Sequence, residues 1–571
     1  MPVPLTEDMS CKVESLAGVE SVCPITLQER LGIRRVQEPI STGVPFPQGM
    51  LPHPSSVALF NAKGQSMPLQ TKKLSAWIDG SVRWMQVEFL SNSEPFQHQE
   101  YYLRVLEHPQ PTLGSPLTVH QSHDEIRIDT GKACFRLCRL SCNPLFWVKL
   151  EESPERELSG PSIVLLGEHG QAILPVFSNM FLESEGPIRA TVKIEGAFQI
   201  NKAIMVRVIS RVSFFAGSGL VETKSTLHNP RAARHPGGLW DLGDEGSIFF
   251  KDLSLEIPFD SEMAKWNTSP LEVFQVCHHD QLEIYQDSSG GQNWQSRNHC
   301  NRNGMVVPIF PGYQVKQNGQ LIGEGKRATP TLSVVGKKVR WDSVIEKFWQ
   351  NFPKAIETSP NGFILRLFPK QCQDVFELQG GEQKTHTIVF QVSASSQKEA
   401  PLTWVHERLV PCLSAEWYAQ SGAMNYLTPR RLDHQQKYLD LIDSAIAGEN
   451  TFFDRREIID EYGWRNFGDI YGDHEAVGHP GPEPKVSHYN NQYDVINGAV
   501  IEYCRSGDIR WYELMRDLAQ HVIDIDLYHT TEDRPEYNGG MFWHTDHYFD
   551  ASTASHRAYS KANADPQNPF L

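Results

Sequence analysis

The stretch from Gly539 to Lys561 reads GGMFWHTDHYFDASTASHRAYSK and holds three histidines, two tyrosines, two aspartates, a tryptophan and an arginine. A core does not accept such a mixture unpaired. Imidazole and phenol move protons near neutral pH, and the indole of Trp543 can stack on the apolar face of a sugar. His544, Asp546 and His547 sit together, with His556 and Arg557 further on, where another helix would start. The run His544-Thr-Asp-His547 lacks the i,i+4 histidine spacing of helical zinc hydrolases. A metal site joined by His474 and His479 is one reading, and a His–Asp pair with Asp546 orienting an imidazole is another. Mutual capping of helices is the plain alternative. No metal is expected, and a catalytic cleft is preferred.

Two further stretches carry the same kinds of group. Residues 461–494 read EYGWRNFGDIYGDHEAVGHPGPEPKVSHYNNQYD. Trp464, Tyr471 and Tyr489 suit sugar stacking. Arg465 and Lys485 suit a carboxylate, the arginine through two parallel hydrogen bonds. His488, Tyr489, Asn490 and Asn491 are expected to open the next helix, whose N-terminus favours an anion. Residues 226–247, TLHNPRAARHPGGLWDLGDEGS, concentrate His228, Arg231, Arg234 and His235 in a loop of a chain whose formal charge is −16. That loop is expected to reach toward the helical part and clamp an anionic sugar. An exposed loop with ion pairs worth little is the competing reading. Residues 42–52 and 76–89 read as scaffold, with Trp77, Asp79 and Arg83 at a domain interface.

The elements that must position these groups fall into two regimes. Up to about residue 400 short alternating runs recur, such as SVRWMQVEFL (81–90), RATVKIEGAFQI (189–200) and MVRVISRVSFFAG (205–217), as in sandwiches or barrels. After that, helical spacing takes over. TPRRLDHQQKYLDLIDSAIAG predicts a helix capped by Thr428 with Pro429 at its first position and Gly448 at its end. YDVINGAVIEYCRSGDIRWYELMRDLAQHVIDIDLYH predicts two antiparallel helices joined at Ser506-Gly507-Asp508. Helical hairpins with aromatic, polar loops point to an α/α toroid or a solenoid. A toroid needs roughly 300 residues, so it is expected to be incomplete here. The expected domains are an N-terminal β domain (1–110), a middle β-sandwich (111–400) and a partial α/α toroid (401–571).

The gross numbers narrow the function. At 571 residues, 40% hydrophobic and 21% charged, the composition is that of a soluble multidomain protein. The net charge of −16 argues against nucleic acid as a partner. No apolar run spans a bilayer and the first residues form no export signal, so no membrane partner and a cytoplasmic location are expected. Ten cysteines without a CxxC read as reduced thiols, and Cys134, Cys138 and Cys142 read as strand residues rather than zinc ligands.

GVPFPQGML followed by DGSVRWMQVEF resembles the N-terminal β domain of the exo-rhamnogalacturonan lyase family, the YetA-like proteins of polysaccharide lyase family 26. HNPRAARHPGGLWDLGDEGS resembles its middle β domain, and GWRNFGDIYGDHE, SHYNNQYD and GGMFWHTDHYFDASTASHRAYSK resemble its helical domain. The resemblance implies β-elimination within a pectin-type galacturonate–rhamnose chain, and a chain shortened at its C-terminal end relative to the family.

Elimination requires neutralising the uronate carboxylate, a base at C5 and an acid at the C4 oxygen. Arg231, Arg234 and Arg465 are assigned to the carboxylate, with Asn490 as helper. His488, Tyr489, His544 and His547 are assigned to base and acid, with His544 or Tyr489 preferred as base. His235, Trp464, Tyr471, Asn491, Trp543, Asp546 and His556 complete the expected substrate contacts. The expected partner is an acidic oligosaccharide. No cofactor is expected, although calcium is compatible with the Asp- and Asn-rich loops. Two alternatives stay open. One is a glycoside hydrolase with a carboxyl pair drawn from Glu461, Asp469, Asp473, Glu475, Asp494, Asp546 and Asp550. The other is a carbohydrate-binding remnant without turnover.

Overall fold

The structure, a computed structural model, describes residues 22–542 apart from 108–113, 140, 237–239, 260–262, 270–271, 278–279, 360, 397–401, 473–485, 487 and 489–490. The expected change of regime is present: described strands dominate to Ala394, and the described α-helices all follow Leu413.

The first β unit pairs a five-stranded sheet containing Val22–Gln28 and His98–Val105 with a three-stranded sheet of Arg35–Pro45, Gln70–Ala76 and Val82–Ser93. Val82, Met85, Val87 and Phe89 bury one face of the last strand. Its core is shared with the helical part. Residues Cys23 to Leu103 form one apolar cluster with Trp417, Tyr503, Trp511, Leu514 and Leu518. A short strand, Cys412–Leu413, adds itself to the edge of Val22–Gln28. Arg83 donates to the Ala423 carbonyl at 2.7 Å, and Trp417 Nε1 to that of Pro45 at 2.8 Å.

The middle unit consists of two nine-stranded sheets and a five-stranded sheet over residues 118–159, packed on one core. Arg189–Ile200 and Ala203–Phe215 pair along their length, which their alternating sequences predict. The segment after Leu220–His228 is the long loop expected there, and it ends at the strand Ile248–Pro258. Cys134 and Cys138 lie in or at the end of one strand and Cys142 just beyond it; all three are free thiols.

Five α-helices are described: α1 (Ala415–Ser421), α2 (Gln436–Ser444), α3 (Phe452–Ile459), α4 (Val495–Ser506) and α5 (Ile509–His521). The α4–α5 hairpin follows the predicted chemistry. Gly507 takes φ 71° at the end of α4, and Asp508 caps α5 through the Arg510 amide. Two expectations are corrected. The helix predicted from Thr428 starts only at Gln436, because Pro429 is extended (ψ 135°) and a single 3-10 turn, Arg430–Leu432, follows it. His488 does not open α4. Asp494 caps that helix through the Asn497 amide, so the His488 side chain gains nothing from the helix dipole, which fades within a turn. The described helices do not close a ring.

Candidate functional site

The site is built on the turn after α3. Thr451 and Asp454 start that helix with a reciprocal capping box, and Asp460 ends it in a left-handed conformation (φ 55°). The strained residue is held by the sandwich: Asp460 accepts from the Ser289 hydroxyl and lies 2.7 Å from His299 Nε2. The next residues run along the sandwich end. Gly463 and Trp464 donate backbone hydrogen bonds to the carbonyls of Gln350 and Phe352. Trp464 packs edge-on against Phe368, with centroids 5.1 Å apart. Arg465 lies over Trp464 and is held by Glu382 at 3.1 Å and by the Glu377 carbonyl. Glu382 is fully buried, so this guanidinium already has its anion. A cavity of about 130 Å³ opens here, lined by Trp464, Arg465, Asn466, His299, Arg297 and Phe352 among others.

On the other side of the same turn lies a buried ionic network. His488 Nε2 is 3.1 Å from Glu461 and 3.6 Å from Asp469. His521, at the end of α5, is 3.3 Å from Asp469 and 3.5 Å from Asp526. Burial pulls both imidazoles toward neutrality, but the carboxylates outweigh it. Asp469 and Glu461 push His488 up to about 9, and Asp469 and Asp526 push His521 up to about 10. A π-helical turn, Val522–Asp526, follows α5 and turns alternate acids two ways. Asp524 accepts from the amide and hydroxyl of Thr385 in the sandwich. Asp526 joins the network and accepts from Asn491 Nδ2 at 2.6 Å.

That asparagine ties the expected segments together. Asn491 also donates to the Phe542 carbonyl at 2.8 Å, and the Phe542 amide donates to that of Asp526. The loop after His228 arrives at the same place. His228 Nε2 lies 2.7 Å from the His529 carbonyl, Thr530 donates to the Pro230 carbonyl, and the Tyr528 hydroxyl accepts from the Ala233 amide. Trp240 is enclosed by His235 (stacked at 4.3 Å), Tyr528 and Phe542. His235 is paired with Asp533 at 2.9 Å.

The predicted residues divide accordingly. Arg231 and Arg234 are exposed, and among the described residues neither enters an ion pair. His235, His488 and Asn491 are tied into the networks above, and Tyr471 is buried against Ile459 and Val486. Trp464 and Arg465 line the cavity. Tyr489, Asn490, Trp543, His544, Asp546, His547 and His556 lie outside the described residues, as do His474, His479 and Lys485. Sequence reasoning passed over Asp460, His299, His521 and Asp526. The run His521-Val-Ile-Asp-Ile-Asp526 carried a signal, since alternate acids between apolar residues do not fit an ordinary amphipathic helix.

No helix among the described residues is long and apolar enough to cross a membrane. Comparison with solved structures finds an alpha-mannosidase from Enterococcus faecalis V583, 9% identical with a TM-score of 0.42 over 69% of this chain and 46% of that one. A galactose mutarotase-like protein from Lactobacillus casei ATCC 334 is 10% identical with a TM-score of 0.24, over 49% of this chain and 99% of that one. YetA of Bacillus subtilis (strain 168), described as uncharacterized, is 24% identical over 210 residues, 34% of this chain and 24% of YetA. The match therefore spans about a quarter of that relative's length. Residues 29–103 match the PcRGLX-like N-terminal RIFT barrel domain. The chain thus carries a PcRGLX-like N-terminal RIFT barrel domain and is similar over part of its length to YetA.

Proposed function

We propose that this chain cleaves an acidic, galacturonate–rhamnose oligosaccharide by β-elimination at a uronate, with its helices belonging to a domain of α/α toroid type. One observation carries the proposal. Asn491 and Phe542 are knotted on Asp526, and the 228–247 loop packs against the residues that follow it. Two residues of chain reach at most about 7 Å. Tyr489 and His544 each stand two positions along the chain from a residue of that knot, which supports their assignment as the base and acid of one site.

Arg231 and Arg234, exposed on the loop, meet the uronate carboxylate and stabilise the charge that develops when the C5 proton leaves. Tyr489 or His544 takes that proton, and the other, or His547, protonates the C4 oxygen. Arg465 is committed to Trp464 and Glu382 rather than to a substrate carboxylate. The hydrolase reading is weaker. Glu461 and Asp469 are both fully enclosed and share His488 between them, whereas a hydrolytic pair flanks the scissile bond with room for a sugar.

The test is incubation with rhamnogalacturonan oligosaccharides. Elimination leaves a C4–C5 double bond conjugated to the carboxylate, so absorbance at the ultraviolet edge rises and the product pair sums to the mass of the starting sugar. Tyr489→Phe is expected to lower kcat by about 100-fold or more if Tyr489 is the base. New reducing ends without absorbance, and with the mass of water added, would establish hydrolysis instead. A change in tryptophan fluorescence with no product would establish a binding protein.

A further inference from the structure

We propose that Glu461, Asp469 and His488 bind a divalent first-row transition-metal ion. The three residues come together because the turn after α3 passes beside the short parallel bridge between Gly472 and His488. Their donor atoms all lie within 4.8 Å of one another, and all three side chains are buried. His488 Nε2 is 3.1 Å from the Glu461 carboxylate and 3.6 Å from that of Asp469. Ligands held about 2.0–2.2 Å from one ion, at octahedral to tetrahedral angles, stand roughly 2.8–3.6 Å apart. Both separations fall in that range. His488 Nε2 and Glu461 are also within hydrogen-bond distance of each other, and the ion displaces that shared proton.

The donor set agrees. The cluster is rich in anionic donors, since three carboxylates, Glu461, Asp469 and Asp526, are enclosed with two imidazoles. A divalent ion at its centre takes the place of the proton on His488, as metal binding to an imidazole requires. His521 stands behind Asp469 and is in turn backed by Asp526, the arrangement that orients a metal-bound carboxylate. One imidazole with two carboxylates suits zinc or manganese. Calcium takes six to eight oxygens. Three protein ligands leave further coordination positions for water or a ligand oxygen. The inference does not rest on the lyase reading.

The experiment uses the full chain, stripped with a chelator and titrated separately with Zn²⁺, Mn²⁺ and Co²⁺. The expected result is one equivalent bound, a raised melting temperature and a visible Co²⁺ absorption band of nitrogen–oxygen coordination. Glu461→Gln, nearly isosteric, and His488→Gln should each weaken binding by about 100-fold or more, with far-ultraviolet circular dichroism reporting that each variant is folded. The Co²⁺ band of the unaltered protein tests the site even if both variants fail to fold. The proposal is overturned if none of the three ions binds, or if folded variants bind as tightly as the parent. These readouts need no substrate, so their failure and the failure of the lyase reading are distinguishable.

Discussion

Arg465 shows how one residue changes meaning between sequence and structure. As a sequence feature it sits in an aromatic, polar segment and suits a substrate carboxylate. In the fold its guanidinium faces Glu382, which is fully buried, and the Glu377 carbonyl. Removing one partner of an enclosed ion pair leaves the other charge without compensation, typically at 3–5 kcal/mol. Arg465→Ala is therefore expected to lower unfolding stability by about that amount, measured by urea denaturation, rather than simply to raise KM. The loop arginines behave differently. Arg231→Ala and Arg234→Ala remove exposed side chains, so stability should change by less than about 0.5 kcal/mol. Turnover of an acidic oligosaccharide should fall by roughly 100-fold or more if either arginine holds the reacting carboxylate. Steady-state kinetics beside thermal melts separates the two effects.

At the scale of elements, the α4–α5 hairpin was legible because its signals are local: a cap, a helical period and a glycine at the break. The turn 460–470 was not, because its shape depends on what it touches. Gly468 illustrates this. It takes φ 109°, and a Cβ there would stand 2.2 Å from the Asp517 carbonyl of α5. Only glycine lets the turn lie against that helix and bring Asp469 to His521. Gly468→Ala is expected to destabilise the fold by more than about 1 kcal/mol, since both the backbone angle and the contact are violated. Hydrogen exchange should show lost protection at the end of α5 and in the π-helical turn, while the sandwich strands keep theirs. Unchanged protection at α5 would mean that the turn accommodates a side chain, and the account of its shape would be wrong.

At the scale of the molecule, the sandwich and the helices are joined by charge as well as by packing. Glu346 follows a sandwich strand, is nearly buried and meets Arg408 and Arg516, the latter on α5. Burial raises its pKa, but the two arginines outweigh this and bring it down to about 2 from an ordinary 4.5. A carboxyl depressed in the folded state contributes stability above its unfolded pKa. That contribution is lost as pH falls, here between about 4.5 and 2. The melting temperature is therefore expected to drop as pH is lowered through this window. Glu346→Gln should be less stable at neutral pH and should show a shallower drop. The first barrel depends on the helices in a different way, since they complete its core and extend its edge. A chain ending at residue 400 should expose that apolar face and lose cooperative unfolding, seen by calorimetry.

The sequence by itself determined the succession of strands and then helices, the α4–α5 hairpin and the three stretches dense in chemistry, because alternation, capping and composition are written in neighbouring residues. It also placed basic residues in a loop of an otherwise acidic chain. Only the tertiary structure decided which groups face one another. Asp460 met His299, Arg465 met Glu382, and His521 joined Asp469 to Asp526. These partners lie far apart in the chain or on different turns, and a burial-driven charge pairing depends on three-dimensional distance, which no local pattern encodes.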